Sequence, residues 1–420
     1  MPLPRRRFLR ALAAAPALAA LGGACGVRPR PGASTAPDPN AQLRGFCDGV
    51  PAIDAAERAG RHARARELAQ GLGVDALVLE AGPSLFYFTG VRWGQSERPL
   101  LYVIPSAGEP RWVGPAFEGG TLGERLPEGA RVHLWDEHEG PGARAREALA
   151  GLGRVAVDPA MRLFVVDGIR AATGAEVAAD PGAIRGCRIV KSEAELRCLR
   201  RANEATKAAL SQVAGEVRAG IAESELAARV RAAQEAAGLE EVWALCLFGP
   251  NAAFPHGSAA ERRLADGDVV LVDTGGSLHG YRSDVTRTWL FGNVSKDIEA
   301  AWATVLAAQS AGLGLQRPGI LCEAVDAAAR AAVDGAGHGP GYRRFTHRLG
   351  HGIGLQVHED PYLVGGDRTA LAAGMVMSNE PGLYVPGAFG VRIEDIVAIT
   401  PTGHEVLGPR FTEGEARLPA

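Results

Sequence analysis

Short apolar runs alternate with longer polar stretches between residues 50 and 184. One of the polar stretches, residues 55–72, is rich in Arg and Ala, which favour helix. The apolar runs are short and rich in Val, Leu and Ile, as is typical of buried strands. They cover residues 75–80, 100–104, 131–135 and 154–158. This alternation predicts an α/β domain at residues 50–184.

The pattern changes after residue 184. Ser192 and Glu195 have the spacing of a capping box, which predicts that a long helix begins at residue 193 and ends near 217. Further helices are expected at 223–237, 296–313 and 321–335. Strands are expected at 269–273, 281–291, 374–379 and 390–399, with a turn at 274–280. The mixture predicts a second domain of the α/β (α+β) class at residues 185–412.

Four acidic residues and one histidine of this second domain lie in or beside apolar segments. They are Asp273, Asp284, His351, Glu380 and Glu394. A buried carboxylate is costly unless it is paired or bound to a metal. The predicted hairpin puts the two aspartates on neighbouring strands. Arg392 is two residues from Glu394 on a predicted strand, so these two side chains are expected to share a face.

Four carboxylates balance the charge of two divalent cations, and carboxylate oxygens with one imidazole suit Mn, Co, Zn or Fe. We expect manganese, with the other three metals open. Two metals close together are a known device for activating water. The five residues therefore predict a two-metal hydrolase.

Composition narrows the choice of partners. A chain of 420 residues favours two domains, and its net charge of −3 argues against nucleic acid as a general partner. The internal cysteines show no CxxC spacing, which favours buried free thiols, although a disulfide between Cys187 and Cys198 stays open.

The N-terminus has the layout of an export signal. Arg5-Arg6-Arg7-Phe8-Leu9-Arg10 precedes an Ala-rich apolar run that is too short to span a bilayer. The spacing resembles a twin-arginine signal, which we place at residues 1–25, with a linker at 26–49. Cys25 is a candidate lipidation site. We therefore expect an exported protein that is periplasmic or a membrane-anchored lipoprotein and has no membrane span.

Six ordered motifs resemble those of the pita-bread metallopeptidases, closest to Xaa-Pro aminopeptidase and Xaa-Pro dipeptidase (prolidase). The motifs are Val-Asp273-Thr-Gly-Gly, Ser-Asp284-Val-Thr-Arg-Thr, His347-Arg-Leu-Gly-His351-Gly-Ile-Gly, Val-His358-Glu-Asp-Pro, Asn-Glu380-Pro-Gly-Leu-Tyr and Val-Arg392-Ile-Glu394-Asp. The resemblance implies a pita-bread catalytic domain. More loosely, Phe86-Tyr-Phe-Thr-Gly90 resembles the creatinase-type N-terminal domain.

The resemblance also assigns roles to the five candidate ligands. It implies that Asp273 binds one metal and that Asp284 and Glu394 bridge the two. His351 and Glu380 would complete the second site. Glu380 would also shuttle a proton to the leaving amine.

Four further residues match family positions that do not bind metal. His358 would stabilise the tetrahedral intermediate, and His256 would face the substrate. His347 matches a pocket histidine that could instead be a structural donor. Arg392 would orient the acidic groups.

The implied activity is cleavage of an Xaa-Pro bond at the N-terminus of peptides or in dipeptides. A metal-dependent hydrolase or lyase of a small non-peptide substrate is the alternative, because fold does not fix function. A dipeptidase needs a cation for the free carboxylate of its substrate, and Arg368 and Arg392 are candidates. A homodimer is expected. Trp93 either caps a neighbouring subunit's pocket or is a surface or domain-packing tryptophan.

Overall fold

The computed structural model describes residues 38–418. The predicted export signal, Cys25 and the first half of the predicted linker lie outside these residues. No helix among the described residues is both long enough and apolar enough to cross a membrane.

A six-stranded sheet with helices packed on it forms the N-terminal part. Its strands are β1 Ala76–Glu80, β2 Leu101–Pro105, β3 Arg111–Pro115, β4 Val132–Trp135, β5 Arg154–Val157 and β6 Glu176–Ala179, in the spatial order β4-β3-β2-β1-β5-β6. Its helices are α1 Ala55–Gly71, α2 Pro83–Thr89, α3 Gly119–Arg125, α4 Gly142–Ala148, α5 Leu163–Thr173 and α6 Ala183–Arg188. The four strands expected from apolar runs are present. The short β3 and β6 carry few consecutive apolar residues, and the sequence analysis missed them.

The second part begins with the predicted capping box. Ser192 Oγ accepts a hydrogen bond from the Glu195 amide at 3.3 Å, and Glu195 Oε2 accepts one from the Ser192 amide at 3.0 Å. The buried Glu195 also accepts from the Tyr281 hydroxyl, which ties the start of this helix to a strand of the catalytic part. The helices of this part are α7 Glu193–Ala214, α8 Glu223–Ala236, α9 Lys296–Leu315 and α10 Cys322–Gly335.

Two sheets and a hairpin complete the catalytic part. The first sheet contains β7 Glu240–Phe248, β8 Val269–Leu278, β9 Tyr281–Arg282, β10 Val285–Phe291 and β18 Arg417–Leu418. The second contains β11 Gly350–Gly352, β12 Glu359–Leu363, β13 Val376–Asn379, β16 Asp395–Ile399 and β17 His404–Val406. The hairpin pairs β14 Gly382–Val385 with β15 Phe389–Arg392.

Three of the predicted boundaries in this part are wrong. The expected turn at 274–280 is strand as far as Leu278, and the chain reverses only at His279-Gly280. The returning strand is interrupted at Ser283-Asp284, and the strand expected at 390–399 is interrupted at Ile393-Glu394. Both interruptions fall at a candidate ligand, and the two acids, Asp284 and Glu394, lie close to each other.

The core explains where the cysteines and Trp93 lie. The five cysteines of the described chain are buried and free, which confirms the expectation of free thiols. One apolar cluster joins side chains of the N-terminal sheet to Ile353 and Leu355 of the catalytic part. Trp93 is partly buried against this cluster, as expected for packing between domains.

Candidate metal centre

The two sheets of the catalytic part meet at the candidate ligands. Asp273 lies on β8 opposite Thr286 of β10, and Asp284 immediately precedes β10. The amide of Glu394 donates to the Thr286 carbonyl at 3.0 Å, which brings the second strand interruption against β10. His351 lies on β11, and Glu380 follows β13, the neighbour of β11. The topology therefore gathers all five predicted ligands into one buried region.

Asp284, His351 and Glu394 form the tightest group, here called the metal triad. One ligand atom from each lies within 4.8 Å of the others, and all three residues are buried. His351 Nε2 is 3.7 Å from Asp284 Oδ2. A single cation could reach all three side chains. The hairpin prediction is correct in placing Asp273 and Asp284 near each other, although Asp284 lies between strands and not on one.

Glu380 lies beside the triad and is held by hydrogen bonds. Its Oε1 is 3.0 Å from His351 Nε2 and accepts from the Ser378 hydroxyl at 3.0 Å. Burial by itself would raise the pKa of Glu380, but the hydrogen bond and charge of His351 outweigh burial and lower this pKa to about 2. This environment thus favours the ionised form of Glu380.

Asp273 belongs to a second group, here called the arginine side, with Arg392 and Tyr384. Arg392 Nη2 donates to Asp273 Oδ2 at 2.5 Å, and Arg392 Nη1 donates to the Tyr384 hydroxyl at 2.8 Å. The Tyr384 hydroxyl is 2.9 Å from His347 Nε2, and His347 Nδ1 is 2.7 Å from the Arg348 carbonyl. The consistent assignment of protons is a chain in which arginine donates to tyrosine, tyrosine to His347 Nε2, and His347 Nδ1–H to the carbonyl.

This chain of hydrogen bonds bears on the two roles predicted for His347, a pocket histidine or a structural donor. Burial lowers the pKa of His347, which favours the neutral imidazole that the chain requires. The structure therefore places His347 as a neutral partner of Tyr384. Arg392 is expected to orient acidic groups, and its guanidinium contacts one of them, Asp273.

Thr286 joins the two groups. Its hydroxyl donates to Glu394 Oε2 at 2.8 Å and accepts from Arg392 Nε at 3.1 Å. Arg392 and Glu394 thus meet at one hydroxyl even though the strand between them is interrupted. Thr286 and Tyr384 lie in two of the motifs given above, but no role was predicted for either residue. Their contacts join separate segments of the chain, so only their spacing from Asp284 and Arg392 could have pointed to them.

The donor set fits divalent cations. Asp273 Oδ1 and Glu394 Oε1 are buried and have no hydrogen-bond partner among the described residues. Burial raises the pKa values of Asp284 and Glu394 well above their ordinary range, and the negative charges of neighbouring acids add to this. Burial also raises the pKa of Asp273, with Arg392 opposing it. Buried acids with unpartnered oxygens are what bound cations would compensate.

A buried network of ion pairs holds the backbone next to the strand interruption at Glu394. Asp395 Oδ1 is 2.7 Å from Lys207 Nζ and 2.8 Å from Arg287 Nη2. Arg287 Nη1 also donates to the Glu394 carbonyl at 2.6 Å. Burial alone would raise the pKa of Asp395, but Arg287 and Lys207 outweigh it and hold that pKa below its usual range. The network fixes the backbone that presents Glu394, and sequence reasoning did not find it.

The predicted substrate-facing histidines lie at the open edge of the centre. The His358 ring is 4.2 Å from the His351 ring in an edge-to-face arrangement, and His358 is exposed. Partial burial and the charge of His351 lower the pKa of His358 to about 4. His256 is exposed in the loop after residue 253, and the carbonyl of the preceding Pro255 accepts from Arg392 Nη1 at 3.4 Å.

His279, which follows β8, is half-buried at the hairpin turn, where it has a φ of 52°. One of its ring nitrogens is 2.8 Å from the Val50 carbonyl. Arg368, a candidate for the substrate carboxylate, is exposed in the segment after β12. Arg392, the other candidate, is already engaged with Asp273 and Tyr384.

Comparison with known proteins finds two regions of the chain that match family models. Residues 197–401 match the model of metallopeptidase family M24, and residues 61–190 match the creatinase/prolidase N-terminal domain. The probable dipeptidase PepE of Mycobacterium bovis is 36% identical over 356 residues, which cover 84% of this chain and 94% of that protein.

Solved structures have the same architecture. The dipeptidase PepE from Mycobacterium ulcerans is 35% identical with a TM-score of 0.83, and the match covers 88% of this chain and 100% of that chain. The prolidase from Pyrococcus horikoshii is 28% identical with a TM-score of 0.75, and the match covers 84% and 99% respectively. The expected creatinase-type domain followed by a pita-bread catalytic domain is thereby confirmed.

Proposed function

The chain belongs to metallopeptidase family M24, and we propose that it uses two divalent cations to cleave the Xaa-Pro bond of dipeptides or of peptide N-termini. The observation that carries the proposal is the pair of buried oxygens without a hydrogen-bond partner among the described residues, Asp273 Oδ1 and Glu394 Oε1, in one cluster of acids. The names of the relatives, dipeptidase and prolidase, favour a short substrate with proline after the scissile bond.

Each side chain would have a distinct task in this reaction. Asp273, Asp284, His351, Glu380 and Glu394 would hold the cations, which supply an activated water and polarise the scissile carbonyl. Glu380, which lies beside His351 and Ser378, would take a proton and deliver it to the leaving amine, as the family resemblance implies. His358 and His256 lie at the open edge, where they can donate to the carbonyl oxygen as negative charge develops.

The test is an assay of the purified protein with Ala-Pro, Gly-Pro and a longer Xaa-Pro-Xaa peptide, with Mn²⁺ or Co²⁺ added. We expect hydrolysis of the bond between the first residue and the proline. Metal analysis should find two bound cations per chain, with manganese as the native metal. If fully metallated protein leaves every Xaa-Pro peptide intact, the peptidase proposal fails. The alternative, a hydrolase or lyase of a small non-peptide molecule, would then replace it.

We also propose export by the twin-arginine route, with the alternatives of a periplasmic protein or one lipidated at Cys25. The Arg5-Arg6-x-Phe8-Leu9 spacing supports this. Changing both Arg5 and Arg6 to Lys should leave the precursor in the cytoplasm, as measured by fractionation. Normal export of that variant would contradict the route. The expected homodimer stays a prediction, and light scattering of the purified protein checks it.

A further inference from the structure

We propose that a cavity between the N-terminal domain and the catalytic domain binds a phosphate group, held by Arg58 and Arg61 of helix α1. The site is separate from the metal centre, and the proposal does not depend on the peptidase function above. A bound phosphate would supply the hydrogen-bond acceptor that the buried Nε atoms of both arginines lack among the described residues.

The cavity has a volume of about 290 Å³ and is lined by both domains. Helix α1 and the segment 86–92 form one side, and the tip of the β8–β9 hairpin, with His279 and Tyr281, contributes to the other. None of the five candidate metal ligands lines it. Leu278, next to this tip, is five residues beyond Asp273 on β8, or about 16 Å at the rise of a strand. The cavity therefore lies away from the metal centre.

Arg61 is the rigid part of the proposed site. It is buried, and its guanidinium carbon lies 4.0 Å from the centroid of the Tyr87 ring. Its Nη1 donates to the Tyr87 carbonyl at 2.7 Å, and its Nη2 donates to the Tyr281 hydroxyl at 2.9 Å. Its Nε is 3.6 Å from Glu57 Oε1, which is too long for a hydrogen bond. One N–H group of a fixed guanidinium is thus available to a ligand.

Arg58 is the unpaired part of the site. Its side chain is half-buried and forms no ion pair and no hydrogen bond with the residues that the structure describes. The guanidinium lies directly against Gly90, where an added Cβ would be only 2.5–2.8 Å from its atoms. Gly90 has a φ of 74°, a conformation that favours glycine. The last residue of the Phe86-Tyr-Phe-Thr-Gly90 motif therefore leaves the space that Arg58 occupies.

The charges around the cavity are unbalanced. Arg58, Arg61 and Arg92 line it, together with a single acid, Glu240. Arg92 pairs with Glu240 at 3.7 Å, and Arg61 is 3.6 Å from Glu195, whereas Arg58 has no acid within the distance of an ion pair. Burial and the positive charge of Arg61 lower the pKa of Arg58. Because a guanidinium stays protonated in proteins, an anion is what would compensate this charge.

The shape and lining of the cavity favour phosphate over a simple halide ion. Guanidinium groups match the oxygens of a phosphate through parallel N–H bonds. The volume of about 290 Å³ is about ten times the share of one water molecule, so a phosphate carrying a small organic group has room. Ile53 and Phe86 provide apolar surface for such a group. The ligand class is therefore a phosphate monoester or inorganic phosphate itself.

Calorimetric titration of the metal-loaded protein with inorganic phosphate and with phenyl phosphate tests the site. Arg58→Gln should weaken binding by about 10-fold or more, the loss of one charged hydrogen-bonding contact. Phosphate bound at the metal ions would bind equally to wild type and variant, so the difference between them reports the arginine site. Tighter binding of phenyl phosphate by the wild type, lost in Arg58→Gln, would identify an ester as the ligand, whereas equal affinities would identify the free ion.

Thermal unfolding gives a second measurement and a matched control. Phosphate at a tenfold excess over its Kd should raise the Tm of the wild type by about 2 °C more than that of Arg58→Gln. Arg64 lies on the same helix but is exposed and paired with Glu67, so Arg64→Gln should respond as the wild type does. Equal affinities and equal Tm shifts in wild type and Arg58→Gln, or no binding of either probe, would overturn the site. Neither result would affect the peptidase proposal, which hydrolysis of Ala-Pro tests.

Discussion

The two sides of the centre solve the same electrostatic problem differently. On the arginine side, Asp273 faces a guanidinium that also donates to Tyr384, so the protein supplies the positive charge itself. In the metal triad, Asp284 and Glu394 are buried more deeply than Asp273, and neither carboxylate forms an ion pair with an arginine or lysine of the described residues. Burial raises the pKa values of both triad acids well above the ordinary range. The charge of Arg392 opposes burial at all three acids, but among them Arg392 forms a hydrogen bond only with Asp273.

The difference shows which side depends on cations. The arginine side can keep its geometry without metal, because its hydrogen bonds are between protein groups. The triad gathers acids whose charges repel each other, and only protons or cations can compensate them. We therefore expect the loss of metal to disturb the geometry around Asp284 and Glu394 before that around Asp273.

Of the changes considered, removal of Glu394 from the metal triad should have the largest effect. Glu394→Ala should lower kcat/KM by about 10³-fold or more, since it removes a ligand that the resemblance assigns to both metals. Metal analysis should show fewer than two cations per chain, while circular dichroism stays that of the wild type. The exposed Glu413→Ala serves as control. Full metal content in active Glu394→Ala would contradict the ligand role.

His256 tests the edge next to the arginine side. Because Pro255 contacts Arg392 and His256 is not among the ligands, His256→Ala should keep its metals. We expect kcat for an Xaa-Pro peptide to fall by about 10²-fold, as for the loss of one donor to a developing oxyanion. The exposed His138→Ala in the N-terminal domain is the matched control. Loss of metal in His256→Ala would show that the assigned role is wrong.

Thr286 tests whether the two sides are coupled. Thr286→Val keeps the shape of the side chain but removes the hydroxyl that bonds both Glu394 and Arg392. The free energy of unfolding should fall by about 1–3 kcal/mol, because two buried charged groups lose a partner. Thermal unfolding measures it, with Thr304→Val as control, since that hydroxyl bonds only within its own helix. Equal changes in both variants would argue against the coupling.

The smallest expected effect is a pH dependence of the metal-free protein. The raised pKa of Asp284 means that the folded chain binds this proton more tightly than the unfolded chain does. Its contribution to stability is therefore complete below the ordinary carboxyl pKa of about 4 and is lost as pH rises through the raised pKa.

Asp284→Asn removes this titration. In the presence of a chelator at pH 7, the variant should unfold a few degrees above the wild type, and the difference should shrink toward pH 4. With metal added, the order should reverse, because the variant lacks a ligand. Thermal unfolding of both proteins across this pH range is the measurement. A chelator-treated variant less stable than the wild type at pH 7 would show that Asp284 is compensated by the protein alone.

Local patterns predicted much of the fold. The capping box at Ser192 and the long amphipathic helix after it depend on residues close in sequence, and the structure has both. The expected turn at 274–280 was wrong because glycines and polar residues in β8 resemble a turn, while pairing with β7 and β9 keeps the segment extended. This pairing depends on β7 and β9, which lie outside the stretch 274–280 from which the turn was predicted.

The sequence alone determined which side chains are available for metal binding and in what order they occur. An acid beside an apolar strand can be recognised from its neighbours in the sequence, wherever the strand lies in the fold. Only the tertiary structure decided how they are compensated. Asp273 and Arg392 are 119 residues apart, yet they form an ion pair, while Asp284 and Glu394 meet without one. Burial and distance set these charge interactions, and both arise only when the two sheets close around the centre.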